Sequence, residues 1–223
     1  MNLTPLRKIA VVGSGAVGGY YGGMLAHSGC EVQFLMRSDL AAVRARGLTI
    51  QTRGETVRVA ARACGAAEEI GPVDAVIIAL KATANAALET LLPPLLGPDT
   101  ALITLQNGLG NEEFLAERWG AERVLGALCF VCLNRTAPGL IVHVDHGSIS
   151  VGEFRRPPQP RTLEFVGALQ RAGIDAQAVE NLVEERWRKL LWNIPFNGLS
   201  IAAGGATVAD ILADDGLRKL RAL

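Results

Sequence analysis

A chain of 223 residues, 49% apolar and 20% charged, has material for one large domain or one and a half and is not disordered. Its 22 basic and 22 acidic side chains are interspersed and sum to zero formal charge, so no electrostatic case exists for nucleic acid or an anionic membrane; a small molecule is the expected partner. No apolar run reaches the roughly 18 residues of a membrane span, and Arg7 and Lys8 stand before a strand-like segment rather than a secretory core, so a cytoplasmic location is expected.

In chain order, Lys8 to Gly18 reads as a short buried strand turning into a helix. A strand from Glu31 to Met36 precedes a helix from Ser38 to about Arg46, with Asp39 as its expected N-cap. Short strands follow near Leu48 to Gln51 and Val57 to Ala60. The apolar runs Ala75 to Leu80 and Ala101 to Leu105 have the character of central parallel strands. Between them, Thr83 to Leu92 is rich in alanine and leucine and reads as a helix stopped by Pro93 and Pro94. Alternating strands and helices predict an α/β fold, a Rossmann-type doubly wound and mostly parallel sheet.

After a helix from Asn111 to Trp119, strands at Val124 to Leu133, Leu140 to Val144 and Ser148 to Phe154 read as antiparallel additions. Pro157 to Pro160 leads into a helix ending near Arg171, and a short strand follows near Ile174 to Ala178. From Asn181 onward the pattern is helical, with a break at Ala202 to Ala206. The boundary is placed near Val179, giving a nucleotide-binding domain over 1–178 and an all-α domain over 179–223. Leu217, Leu220 and Leu223 recur at helical spacing behind an aspartate N-cap with no C-cap after them, so the last helix reads as cut in mid-course and the helical domain as truncated.

The four cysteines, Cys30, Cys64, Cys129 and Cys132, read as reduced thiols. A strand sends Cys129 and Cys132 to opposite faces, which opposes a redox or zinc pair. His143 and His146 lack the accompanying ligands of a metal site, and none is expected.

Gly13, Ser14, Gly15, Ala16, Val17 and Gly18 fit the G-x-G-x-x-G dinucleotide fingerprint after a strand and at a helix start. The first glycine permits a tight turn, the second lets backbone approach a pyrophosphate, and the third lets helix pack on strand. The helix N-terminus offers free N–H groups and positive dipole to phosphate. A glycine-rich packing turn is the competing reading. The second strand ends in Arg37 and Ser38 where an acidic residue would bond the ribose hydroxyls of NAD. A guanidinium there suits a 2′-phosphate, so NADP is expected, with Asp39 the counter-argument.

Lys81 and Asn107 follow the apolar runs Ala75 to Leu80 and Ala101 to Leu105, at the carboxyl ends where open α/β sheets bind ligands. An ordinary turn and a solvated lysine would also account for them. Lys189, Asn193 and Asn197 recur every four residues; in a helix each step advances about 40°, so all three share a face, with Pro195 making Asn197 the less secure member. One ammonium beside two neutral amides suits a small polar anion. A surface Lys189 paired with Glu185 is the alternative, and core packing is expected of Trp187 and Trp192.

Together these motifs make the chain resemble the ketopantoate reductase (2-dehydropantoate 2-reductase) family nearly end to end: GSGAVG, Arg37, Leu80-Lys81, the segment Gln106 to Gly110, and Glu185 to Leu190 with Asn193 and Asn197. The resemblance implies reduction of a 2-oxo acid by NADPH in pantothenate synthesis, at a cleft between a Rossmann and a helical domain. It implies Lys189 as general acid, Asn107 and Lys81 near nicotinamide and substrate, and Asn193 and Asn197 as substrate-binding amides. A homodimer is also expected. The family's further serine and glutamate substrate ligands have no counterpart within these 223 residues.

Overall fold

The computed structural model describes residues 6–216. The chain separates into two compact units, Met1–Leu182 and Val183–Leu223. The first unit holds one ten-stranded sheet.

Strand β1 (Lys8–Val12) alternates its apolar side chains between two cores: Ile9 and Val11 enter one, Ala10 and Val12 the other. β6 (Val73–Ile78) does the same with Ala75 and Ile77 against Val76 and Ile78, so both faces of these strands are covered. With β2 (Glu31–Leu35), β5 (Arg62–Cys64), β7 (Leu96–Thr104) and β8 (Val124–Ala137) they form the parallel run β5-β2-β1-β6-β7-β8. Strand order reverses between β1 and β6, the switch point at whose carboxyl ends open α/β sheets bind ligands.

Beyond β8 lie β9 (Leu140–Glu153), then β3 (Leu48–Gln51) and β4 (Thr56–Val59), while β10 (Ala176–Ala178) also pairs with β9. This curls the sheet around α1 (Ala16–His27), a helix buried along most of its length. Close approach requires its glycines: a side chain at Gly19 would strike Ile141, at Gly22 Val11 and Phe34, and at Gly23 Ile50.

The remaining helices are α2 (Leu40–Arg46), the single turn α3 (Leu88–Leu91), α4 (Asn111–Trp119), α5 (Pro160–Arg171), α6 (Leu182–Ala202) and α7 (Val208–Ala213). The helical C-terminal part is present though short.

Several expectations are corrected. Thr83 to Leu92 is not one α-helix: Ala82–Ala87 winds as a 3-10 helix before α3. Within it the Asn85 side chain is tied to Gln106 and Asn111, a tertiary restraint that overrides alanine's preference for the wider α-turn. Leu140 to Val144 and Ser148 to Phe154 are one strand, β9, bent where His146 and Gly147 take φ of 58° and 134°. Nor are these strands purely antiparallel additions, because β8 lies parallel to β7, and β9 parallel to β3 and β10. β5 was not foreseen. Trp187 and Trp192, expected in the core, are 53% and 46% exposed. The expected terminal repeat of Leu217, Leu220 and Leu223 lies outside the described residues.

Candidate functional site

The glycine turn is built against the neighbouring strand end. Gly13 has φ of 96°, and a side chain there would collide with the backbone of Ala79 and Leu80. A Cβ at Gly18 would meet the Gly13 carbonyl and come 3.0 Å from both Ala79 Cβ and Val11 Cγ1, so helix, turn and strand close together only with glycine. Gly15 differs. It is the exposed N-cap of α1, has no side-chain cap, and a Cβ on it would meet nothing within 4 Å. That leaves an open approach to the free N–H groups of the first helical turn, where Ala16 and Val17 begin α1, and its shape and polarity fit a pyrophosphate.

Ser14 lies inside the turn, and its hydroxyl donates to the Leu35 carbonyl at 3.0 Å, fastening the turn to the end of β2. Two residues on, Arg37 is exposed, and its guanidinium enters no ion pair or hydrogen bond among the described residues. Lys81 is the same: it is exposed, with no partner among the described residues, directly after the Ala79–Leu80 backbone that packs on Gly13. Two unneutralised cations therefore flank the helix N-terminus, an arrangement suited to an anionic ligand.

Asp39 was expected to cap α2. It occupies the N-cap position but its side chain makes no bond to the helix. Its carboxylate instead accepts from Arg135 at 2.6 Å, Ser38 Oγ at 2.9 Å and the Gly139 N–H at 3.0 Å. Burial alone would raise its pKa, but the Gly139 N–H, the Ser38 hydroxyl and the Arg135 guanidinium together hold it below the usual aspartate value. The acid that argued for NAD is thus engaged within the protein.

Asn107 is exposed just past β7, in a loop whose Gly108 and Gly110 take φ of 97° and 86°. A chain of amides missed in the sequence supports this loop. Gln106 Nε2 donates to the Leu80 carbonyl at 3.0 Å and to Asn85 Oδ1 at 2.7 Å; Asn85 Nδ2 donates to Asn111 Oδ1 at 3.1 Å; Asn111 Nδ2 donates to the Asn107 carbonyl at 3.1 Å. Thr104 closes the buried end by donating to Gln106 Oε1 at 3.0 Å. The relay links the segment before Lys81 to Asn107 itself. Its only sequence signal was the cluster of Asn and Gln around two strand ends.

In the second unit, α6 runs unbroken from Leu182 to Ala202 through Pro195, so Lys189, Asn193 and Asn197 do lie along one flank. Lys189 and Asn193 are half-buried and Asn197 exposed. Glu185 pairs with Arg188 at 3.2 Å.

Cys129 is buried and Cys132 exposed, on opposite faces as the alternation of a strand requires. Among the described residues no cluster of three or more His, Cys, Asp or Glu could hold a metal, and no helix is long and apolar enough to cross a membrane.

The chain matches the family model of ketopantoate reductase PanE/ApbA over residues 9–156. It is 38% identical over 220 residues to a 2-dehydropantoate 2-reductase of Nostoc sp., an alignment covering 96% of this chain and 69% of that one. A crystal structure of 2-dehydropantoate 2-reductase from Geobacter metallireducens superposes with a TM-score of 0.92 at 44% identity, covering 96% of this chain and 71% of that one. D-mandelate dehydrogenase, solved with NADH and anilino(oxo)acetate, shares the fold at a TM-score of 0.85 and 23% identity, with 96% and 70% covered. On the match of sequence motifs, sheet topology and these relatives, the chain belongs to the ketopantoate reductase family of oxidoreductases.

Proposed function

We propose that this chain reduces the ketone of 2-dehydropantoate (ketopantoate) to pantoate with NADPH, as a step of pantothenate synthesis in the cytoplasm. Residues 1–178 act as the NADP-binding domain and 179–223 as a helical substrate-binding part. The observation that carries the cofactor reading is the unneutralised Arg37 at the end of β2 beside an Asp39 already held by Arg135 and Gly139. A guanidinium in that place bonds a 2′-phosphate, and Gly13 to Gly18 with Lys81 receive the remaining phosphates.

When bound, the reduced nicotinamide supplies a hydride to the carbonyl carbon. The developing charge on oxygen then needs a proton, and Lys189 gives it from its ammonium group. Asn193 and Asn197 hold the substrate carboxylate and hydroxyl with neutral amides, which spares the cost of desolvating a further charge. Asn107 would serve the nicotinamide and the substrate from the loop after β7.

The test is one titration of the purified chain with NADPH by fluorescence, followed by addition of ketopantoate, 2-oxoisovalerate or benzoylformate while NADPH absorbance is read. Binding with fastest turnover of ketopantoate supports the proposal. Preference for another 2-oxo acid would reassign the substrate, and binding without turnover would leave a nucleotide-binding module. The last outcome has a specific motive, since the chain spans 69% of its Nostoc relative's length.

A further inference from the structure

The Asp39–Arg135 pair joins residues 96 positions apart. Arg135 lies near the end of β8, and Gly139 is on the turn that leads into β9. The turn is also held by the Thr49 N–H donating to the Gly139 carbonyl at 2.8 Å. The β8–β9 hairpin thereby brings a cation to the end of β2. Arg135 reaches Ser38 Oγ at 3.3 Å as well as the Asp39 carboxylate at 2.6 Å. The Asp39 side chain is only 6% exposed, whereas 42% of Arg135 remains open to solvent beside Ser38.

Asp39 falls about 20 residues past the glycine motif, where an acidic side chain in this fold bonds ribose hydroxyls and repels a 2′-phosphate. We infer that Arg135 is a second specificity-determining residue for the dinucleotide: it occupies and neutralises Asp39, and with Arg37 it leaves a positive edge around Ser38 for a 2′-phosphate. This rests on the reading of Arg37 given above. The charge logic makes an ordered prediction. Arg135→Ala removes the masking cation and uncovers an acid; Asp39→Asn removes the acid but leaves an amide oxygen to accept from the Gly139 N–H; the double variant restores the parent's net charge.

The experiment measures dissociation constants of NADPH and NADH by fluorescence at low salt for the parent chain, R37A, R135A, R135K, D39N and R135A/D39N, with thermal melts of each. R135A should weaken NADPH by about tenfold relative to NADH, D39N should hold or tighten NADPH, and the double variant should return to within about threefold of the parent. R135K, which keeps the charge, should retain most of the preference and supplies the comparison if R135A does not fold. Added salt should compress these differences. A shift of preference in R37A but not in R135A, with only the melting temperature falling, would make the pair a structural strut and overturn the inference while leaving the reading of Arg37 intact. An unchanged preference in R37A would overturn both.

Discussion

Two residues show how burial and function set different demands on a charged side chain. Glu153 ends β9 with a fully buried side chain, bonded by Arg161 at 2.7 Å, Arg156 at 2.9 Å and the Thr162 hydroxyl at 2.7 Å. Burial would raise its pKa, but Arg161, Thr162 and Arg156 overcome that and hold it below the ordinary glutamate value of 4.5. A depressed folded-state pKa means that this contribution to stability is fully present above pH 4.5 and is lost as pH falls through the lower folded value. Glu153→Gln should lower unfolding free energy by about 3 kcal/mol at neutral pH, the low end for a broken buried pair because both arginines keep some solvent. Urea midpoints against pH check this: the parent's should fall more steeply below pH 4.5 than the variant's, and parallel curves would refute the linkage. In the proposed reaction Lys189 has the opposite task, the release of a proton. Lys189→Ala should reduce kcat by about 10²–10⁴ with NADPH affinity preserved, and turnover at the parent's rate would remove the lysine from the mechanism.

At the scale of elements, the candidate site depends on two strand-end segments held by the relay from Thr104 through Gln106, Asn85 and Asn111 to the Asn107 carbonyl. Deleting its middle member takes one hydrogen bond each from the buried Gln106 and Asn111 amides, at about 1–3 kcal/mol. Asn85→Ala should therefore lower the melting temperature and weaken NADPH severalfold, because the segment bearing Lys81 loses one of its two ties to Gln106, the bond to the Leu80 carbonyl being the other. Lower stability with unchanged NADPH affinity would restrict the relay to the fold. The relay also explains where sequence reading succeeds. α4 and α5 match their expected bounds because local signals mark them: glycines at both ends of α4, and Pro160 at the first turn of α5. β1, β6 and the glycine turn were legible through apolar runs and spacing. By contrast, the 3-10 winding of Ala82–Ala87 follows from Asn85 meeting Gln106, and the diversion of Asp39 from its capping role follows from Arg135. Partners that far away leave no periodic trace in a local window. β5 is too short to show one, with only three residues. Of the candidate site, the backbone cradle and the two open cations could be named in advance, but the side chains that hold them in place could not.

At the scale of the whole molecule, α6 carries an apolar stripe alongside its polar flank. Val183, Trp187, Leu191, Ile194 and Ile201 are 48%, 53%, 76%, 63% and 82% exposed. At about 100° per residue these positions fall within roughly 80° of one another, so the exposed surface is one continuous strip rather than scattered side chains. A contiguous strip of large apolar side chains favours association, and we propose that it is used in a homodimer. Sedimentation equilibrium of the purified chain should show concentration-dependent self-association. Placing charges in the strip's centre with Leu191→Glu and Ile194→Glu should shift the chain to monomer. The glycine turn, Arg37 and Lys81 belong to the other compact unit, so with assembly and nucleotide binding independent, NADPH affinity should stay within about twofold of the parent's. A parent chain that stays monomeric at high concentration would show that this strip does not drive association, whereas a monomeric double variant that also lost NADPH binding would show that assembly and nucleotide binding are coupled.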